Sequence, residues 1–201
     1  MEFKGVIVGL GNPEEIYKDT RHNFGTIVVH DLIHKKRLSF LEEKNYYKAW
    51  NWNLNDEIQW MVCKTKTYMN VSGLSVKELC KNYGFSSESF LILHDELDLD
   101  FGKLRFKFNG GTAGHKGLES VVSEIGKSFY RLRLGIGKPK EKDKIIEYVL
   151  SPFSSEEKKF IPRILDICIK GLELFCIYGI EKAMNLVHSF SIINKGENKS
   201  V

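Results

Sequence analysis

VIVGLGNPEEIYKDTRHNFG, Val6 to Gly25, begins as a strand and runs directly into a glycine turn. Phe3 to Val8 is short, β-branched and mostly apolar, the pattern of a central strand covered on both faces. Dinucleotide sites begin in the same way, but their G-x-G-x-x-G fingerprint opens a helix on a third glycine. Here Gly9-Leu10-Gly11-Asn12-Pro13-Glu14 lacks that glycine, and Glu14-Glu15 would set negative charge beside the phosphates. The Gly-Lys-Ser/Thr of a Walker loop is also missing. Pro13 instead stiffens the exit and keeps Asn12 out of helical geometry, so that Asn12 projects from the turn.

Outward from this stretch the chain alternates strands and helices. Phe24, Ile27, Val28 and Leu32 recur at helical spacing from Asn23 to Lys35, which puts His22 where a loop becomes a helix. Tyr46 to Leu54 and Ile58 to Lys64 read as a hairpin, and Val71 to Tyr83 as a helix ended by Gly84. Phe90-Leu91-Ile92-Leu93 is a second buried strand and empties into HDELDLD, His94 to Asp100. Ligands of open α/β sheets bind beyond the carboxyl ends of strands, which places Asp95 at a candidate active edge. Strands are expected at Lys103 to Phe108 and Arg131 to Ile136, around a flexible Asn109 to Gly117 loop and a helix at Leu118 to Ile125. Helices are expected at Ile145 to Leu150, Glu156 to Tyr178 and Glu181 to Phe190. The expected fold class is α/β, a single-domain three-layer αβα protein with a twisted mixed β-sheet over 1–190, followed by a polar, frayed tail over 191–201.

Composition bounds the function. The chain has 201 residues, 42% hydrophobic and 28% charged, the balance of an ordinary globular protein. No apolar run is long enough for a bilayer, and MEFKGVIVGL has no secretory-signal pattern, so no membrane association and a cytoplasmic location are expected. Cys63, Cys80, Cys168 and Cys176 have no metal-ligand spacing and read as buried free thiols. A formal charge of +4 and a pI of 8.7 suit a polyanionic partner without requiring one.

Several candidate sites have bland readings. His30 and His34 stand one helical turn apart but lack the H-E-x-x-H pattern, and read as solvated surface histidines. Asp95, Glu96, Asp98 and Asp100 lack calcium-loop spacing. His22 and Asp95 differ, since both face the same expected edge. Imidazole titrates near neutral pH, and a carboxylate on its other nitrogen fixes the tautomer for general-base work. Pattern alone still favours a cap or packing role for such a histidine. Asn12 and Asn70 suit holding a carbonyl or a water, and equally suit local turn bonds. Arg105, Lys107, Arg131 and Arg133 alternate with Phe106, Phe108, Phe129 and Tyr130, either as a phosphate-binding face or as exposed strand charges. Ser72 reads as a helix cap.

Taken together, GLGNPEEIYKDTRHNFG, TYMNVSG, HDELDLDFGKLRFKFNGG, GHKGLESV and RLRLGIGKP resemble the bacterial peptidyl-tRNA hydrolase family, in order, from about Val6 to about Phe190. The resemblance implies an enzyme that cleaves the ester between a peptide and the 3′ end of transfer RNA, with no metal or cofactor, as a monomer. It implies His22 as the base that activates water and Asp95 as its orienting partner. Asn12 and Asn70 are implied to hold the substrate, with Tyr17, Tyr68 and Lys116 as further substrate-binding positions. Arg105, Lys107, Arg133 and Lys138 are the expected phosphate contacts. One position departs from the pattern: many members carry asparagine where Lys116 stands, and an ammonium donates hydrogen bonds but accepts none. The Gly110 to Gly117 loop and the Lys138 to Val149 segment read as lids. Two alternatives remain: a non-catalytic RNA-binding protein on the same fold, as in the plant organelle splicing factors that the family also resembles, and a nucleotide-dependent oxidoreductase. Joint retention of His22, Asp95, Asn12 and Asn70 favours the enzyme.

Overall fold

A computed structural model describes residues 2–139 and 141–192. The strands are β1 (Val6–Gly9), β2 (Ser39–Glu43), β3 (Tyr47–Asn53), β4 (Gln59–Thr65), β5 (Phe90–Glu96), β6 (Leu104–Phe108) and β7 (Tyr130–Gly135). The helices are α1 (Phe24–Lys35), α2 (Gly73–Tyr83), α3 (Lys116–Ile125), α4 (Ile145–Leu150), α5 (Ser155–Lys158), α6 (Ile161–Tyr178) and α7 (Ile180–Ser189). All seven strands form one sheet in the order β2-β3-β4-β1-β5-β7-β6. β4, β1, β5 and β7 run parallel, while β2, β3 and β6 are antiparallel to their neighbours.

Residue alternation along the parallel strands feeds two cores. Ile7, Leu91, Leu93, Leu132 and Leu134 point to the layer of α1, α6 and α7, with Phe24, Val28, Leu172 and Val187 packed on them. Val6, Val8, Phe90 and Ile92 point to the opposite layer, against Val76 and Leu79 of α2 and Leu118 and Val121 of α3. The result is the expected α/β arrangement with helices on both faces. Where β1 leads through α1 back toward β4 while β5 leads onward to β7, the chain parts in opposite directions, and a crevice opens at the carboxyl ends.

The glycines of the opening stretch bring α1 onto the sheet. A Cβ on Gly25 would lie 2.2 Å from the Leu93 carbonyl oxygen, and one on Gly9 2.6 Å from the Gly25 carbonyl oxygen. One on Gly11 would lie 2.3 Å from Thr26 Oγ1. The turn therefore serves close packing of strand and helix, which fixes the loop carrying His22.

Four expectations are corrected. β2 is an additional edge strand, exposed along most of its length, and has no apolar alternation to announce it. The helix expected from Glu156 to Tyr178 is two, because Ser154 and Glu157 form a capping box that starts α5, and Pro162 opens α6 afresh. Ser72 does not cap α2 with its side chain; its hydroxyl donates to the Met69 carbonyl at 2.8 Å. Cys80 is half-buried, unlike the other three cysteines. Of the expected tail, residues 193–201 lie outside the described residues.

Candidate active site

β5 delivers His94, Asp95 and Glu96, all buried, to the crevice. Asp95 is 3% exposed. His22, on a 3-10 turn just before α1, places Nδ1 3.0 Å from each carboxylate oxygen of Asp95. A second imidazole reaches the same group: His115 Nε2 lies 2.9 Å from Asp95 Oδ1. His115 caps α3, and its Nδ1 accepts the Leu118 N–H at 3.2 Å. Its ring proton therefore sits on Nε2 and is donated to Asp95. With the His22 Nδ1–H donated likewise, His22 Nε2 is left with a free lone pair. Burial pushes the Asp95 carboxyl upward, but the attraction of His115 and His22 and their hydrogen bonds outweigh it, holding Asp95 well below the usual carboxylate range.

The loop after β1 is tied to this centre by paired amides. Asn23 Oδ1 accepts the Asn12 N–H at 2.7 Å, and Asn23 Nδ2 donates to the Asn12 carbonyl at 2.9 Å. Asn12 Oδ1 accepts the Met69 N–H at 2.8 Å, which orients the Asn12 amide nitrogen away from that bond. Arg21 is buried and structural. Its guanidinium bonds Ser151 Oγ, the Pro152 carbonyl and Glu157, and lies 4.3 Å over the Tyr148 ring, so the His22 turn is locked to α4 and α5.

A cleft of about 680 Å³ opens over His22 and Asp95. Asn70, His115, Lys116 and Lys138 line its polar side, and Met69, Leu97, Ile145, Ile146 and Val149 its apolar side. Both expected lid segments thus border it. Asn109 and Ala113 hold positive φ, 63° and 49°, in the loop beside it, so this loop carries backbone strain.

The other expected residues are distributed as follows. Asn12 lines a neighbouring cleft and not the one over His22 and Asp95. Tyr17 is half-buried, and its carbonyl accepts the Thr20 hydroxyl; Tyr68 is exposed and its phenol meets Glu14. Lys116 pairs with Glu119 at 3.0 Å, Arg133 with Glu96 at 2.9 Å and Lys138 with Asp98 at 2.5 Å. Arg105 bonds the Leu104 and His188 carbonyls, while Lys107 is exposed on the edge strand. Arg131, expected on a basic face, is instead buried and clamps the Gly110 and Gly111 carbonyls at 2.8 and 2.6 Å. Sequence reasoning missed His115 as a partner of Asp95. The available signal was its resemblance in setting to His22: a histidine in a glycine-rich loop immediately before a helix.

His22, Asp95 and His115 offer ligand atoms within 4.8 Å of one another, enough to gather a metal ion. In the arrangement seen, both imidazoles give their protons to the carboxylate, and a metal would have to displace both.

Fold and site together define a class: α/β proteins with a ligand cleft at the carboxyl edge of a mostly parallel sheet, built around a histidine–carboxylate pair. The family model described as peptidyl-tRNA hydrolase matches residues 6–195, and the chain belongs to that family. It is 40% identical over 185 residues to the peptidyl-tRNA hydrolase of Thermodesulfovibrio yellowstonii, covering 90% of this chain and 97% of the relative. It is 38% identical to that of Aquifex aeolicus, covering 96% and 100%. The crystal structure of peptidyl-tRNA hydrolase from Acinetobacter baumannii superposes with a TM-score of 0.88 at 34% identity, covering 96% of this chain and 99% of that one.

Proposed function

We propose that this chain hydrolyses the ester joining a peptide, or an N-blocked amino acid, to the 3′ end of transfer RNA. One observation carries the mechanism: the buried Asp95 carboxylate accepts the His22 Nδ1–H, leaving Nε2 as the acceptor. His22 Nε2 takes a proton from water as that water attacks the ester carbonyl. Asp95 stabilises the imidazolium formed, and His115 holds Asp95 in place. His22 then returns the proton to the departing ribose oxygen, and because water itself is the nucleophile no covalent intermediate forms. The amide of Asn70, on the wall of the catalytic cleft, is the candidate to hold the developing oxyanion, with Asn12, Tyr17, Tyr68 and Lys116 toward the nucleotide end. Lys107 is the phosphate contact best supported, since Arg133 and Lys138 are already paired. The reading includes one domain, a monomer, no metal in the reaction and a cytoplasmic location. Among the described residues no helix is long and apolar enough to cross a membrane.

The test is release of labelled N-acetyl-aminoacyl from transfer RNA in EDTA. Wild type should turn over, and His22→Ala should be slower by about two to four orders of magnitude. Asp95→Asn should also lose turnover while keeping transfer RNA binding. Equal rates in wild type and His22→Ala remove His22 from the mechanism. Tight binding without release by wild type moves the reading to the RNA-binding alternative.

A further inference from the structure

The cleft beyond the Asn12 loop meets the reaction above only through Asn12. It holds about 740 Å³ and is lined by Lys48 and Trp50 of β3, Lys64 of β4 and His30 of α1, together with Asn12 and Asn23. Lys48 and Lys64 stand directly opposite each other in the β3–β4 ladder, an unfavourable pairing of like charges. Glu43 relieves the ladder only in part: it holds Lys48 at 3.0 Å and Lys66 at 2.7 Å. Lys64 is half-buried, has no carboxylate partner among the described residues, and sits 5.8 Å over the Trp50 ring. Burial, and then Lys48, push its amine down to about 8. An anion beside Lys64 would offset both costs. The rim carries Glu14, Glu15 and Asp19, with Lys18 paired to Glu15; this excess of carboxylates disfavours a second phosphate there and can accept amino N–H groups of a base. One phosphate and one ring is the ligand chemistry these features share.

We propose that this cleft binds a single phosphorylated nucleoside, its phosphate at Lys64 and its base against Trp50. The nucleoside has two possible sources, a free nucleotide or one residue of an RNA strand. In the strand case the inference rests on the hydrolase reading, because Asn12 walls this cleft while its Oδ1 bonds Met69 of the catalytic one.

The experiment follows the Trp50 indole N–H by NMR in the full chain, assigned with Trp50→Phe, as 5′-CMP, cytidine, inorganic phosphate or CpCpA is added. 5′-CMP should shift Trp50, phosphate should compete with it, and cytidine should bind about tenfold more weakly or worse. Lys64→Met should weaken 5′-CMP by about tenfold or more, and Lys64→Arg should retain it. If CpCpA moves the Trp50 and His22 signals together, the occupant is a strand spanning both clefts. If 5′-CMP moves Trp50 and CpCpA does not, the occupant is a free nucleotide. A Trp50 signal unmoved by either, or equal 5′-CMP affinity in a folded Lys64→Met, overturns the proposal. None of these signals is ester cleavage, so a chain inactive as an esterase could still bind here, and the two readings fail separately.

Discussion

Asp95 is the residue on which the site turns, because one buried carboxylate serves two imidazoles. The roles of those imidazoles differ through what their outer nitrogens do. His115 Nδ1 is taken by a backbone N–H of α3, so His115 cannot act as a base without breaking a helix cap. His22 has no such bond and can. His115→Ala should therefore slow ester release by about ten- to a hundredfold, less than His22→Ala, as loss of an orienting partner generally does. His115→Gln, whose amide can donate to Asp95, should restore most of that rate. Ester release by His115→Ala at the wild-type rate would reduce His115 to a helix cap. That His22 and Asp95 share one edge was legible in the sequence because each follows or precedes a strongly patterned element, while their roles were implied only by the resemblance. His115 and Arg21 were not, since their partners lie in distant segments: Asp95 for one, Ser151 to Glu157 for the other. Long-range side-chain pairing leaves no local periodicity to read.

At the scale of elements, the seating of α1 on β1 and β5 decides where His22 stands. Gly25 lies in the first turn of α1, and an added methyl would sit 2.2 Å from the Leu93 carbonyl oxygen. Alanine ordinarily favours a helix over glycine by up to about 1 kcal/mol, but the backbone collision here opposes it. Gly25→Ala should destabilise the protein by about 1–3 kcal/mol, read as a lower denaturation midpoint, and should depress ester release beyond the loss of folded protein because the His22 turn shifts with the helix. Gly84→Ala makes the contrast: its φ is 69° with no atom within 4 Å, so only conformational strain is added, far from the cleft. Equal stability of Gly25→Ala and wild type would show that α1 can slide without cost. The parallel strands and α1 were readable because both faces of the sheet are covered, which forces continuous apolar runs. β2 escaped because an exposed edge strand needs no apolar face, and its backbone pairing with β3 leaves no mark on side-chain type.

For the molecule as a whole, acid is the condition under which the centre and the stability of the fold are coupled. His94 is 1% exposed, its Nδ1 meets the Asp95 carbonyl at 2.7 Å, and its Nε2 has no partner among the described residues. Burial, and then the neighbouring His115, push His94 down to about 3 from an ordinary 6.5. The fold therefore prefers neutral His94. Its contribution is full above pH 6.5 and is lost progressively as pH falls toward about 3, because the unfolded chain binds the proton first. Asp95 acts in the same direction at lower pH, since its depressed carboxyl favours the fold above its ordinary 3.8. His30 and His188, both lowered chiefly by burial, add weaker dependence of the same sign in the His94 window. Between pH 6 and 4, His94→Leu should flatten the pH dependence of unfolding free energy by close to one proton, about 1.4 kcal/mol per pH unit at full effect. Comparing variant with wild type cancels His30 and His188. Denaturant melts across that range decide it. Parallel pH profiles for the two proteins would mean that His94 accepts its proton in place, and that the interior behind Asp95 tolerates charge.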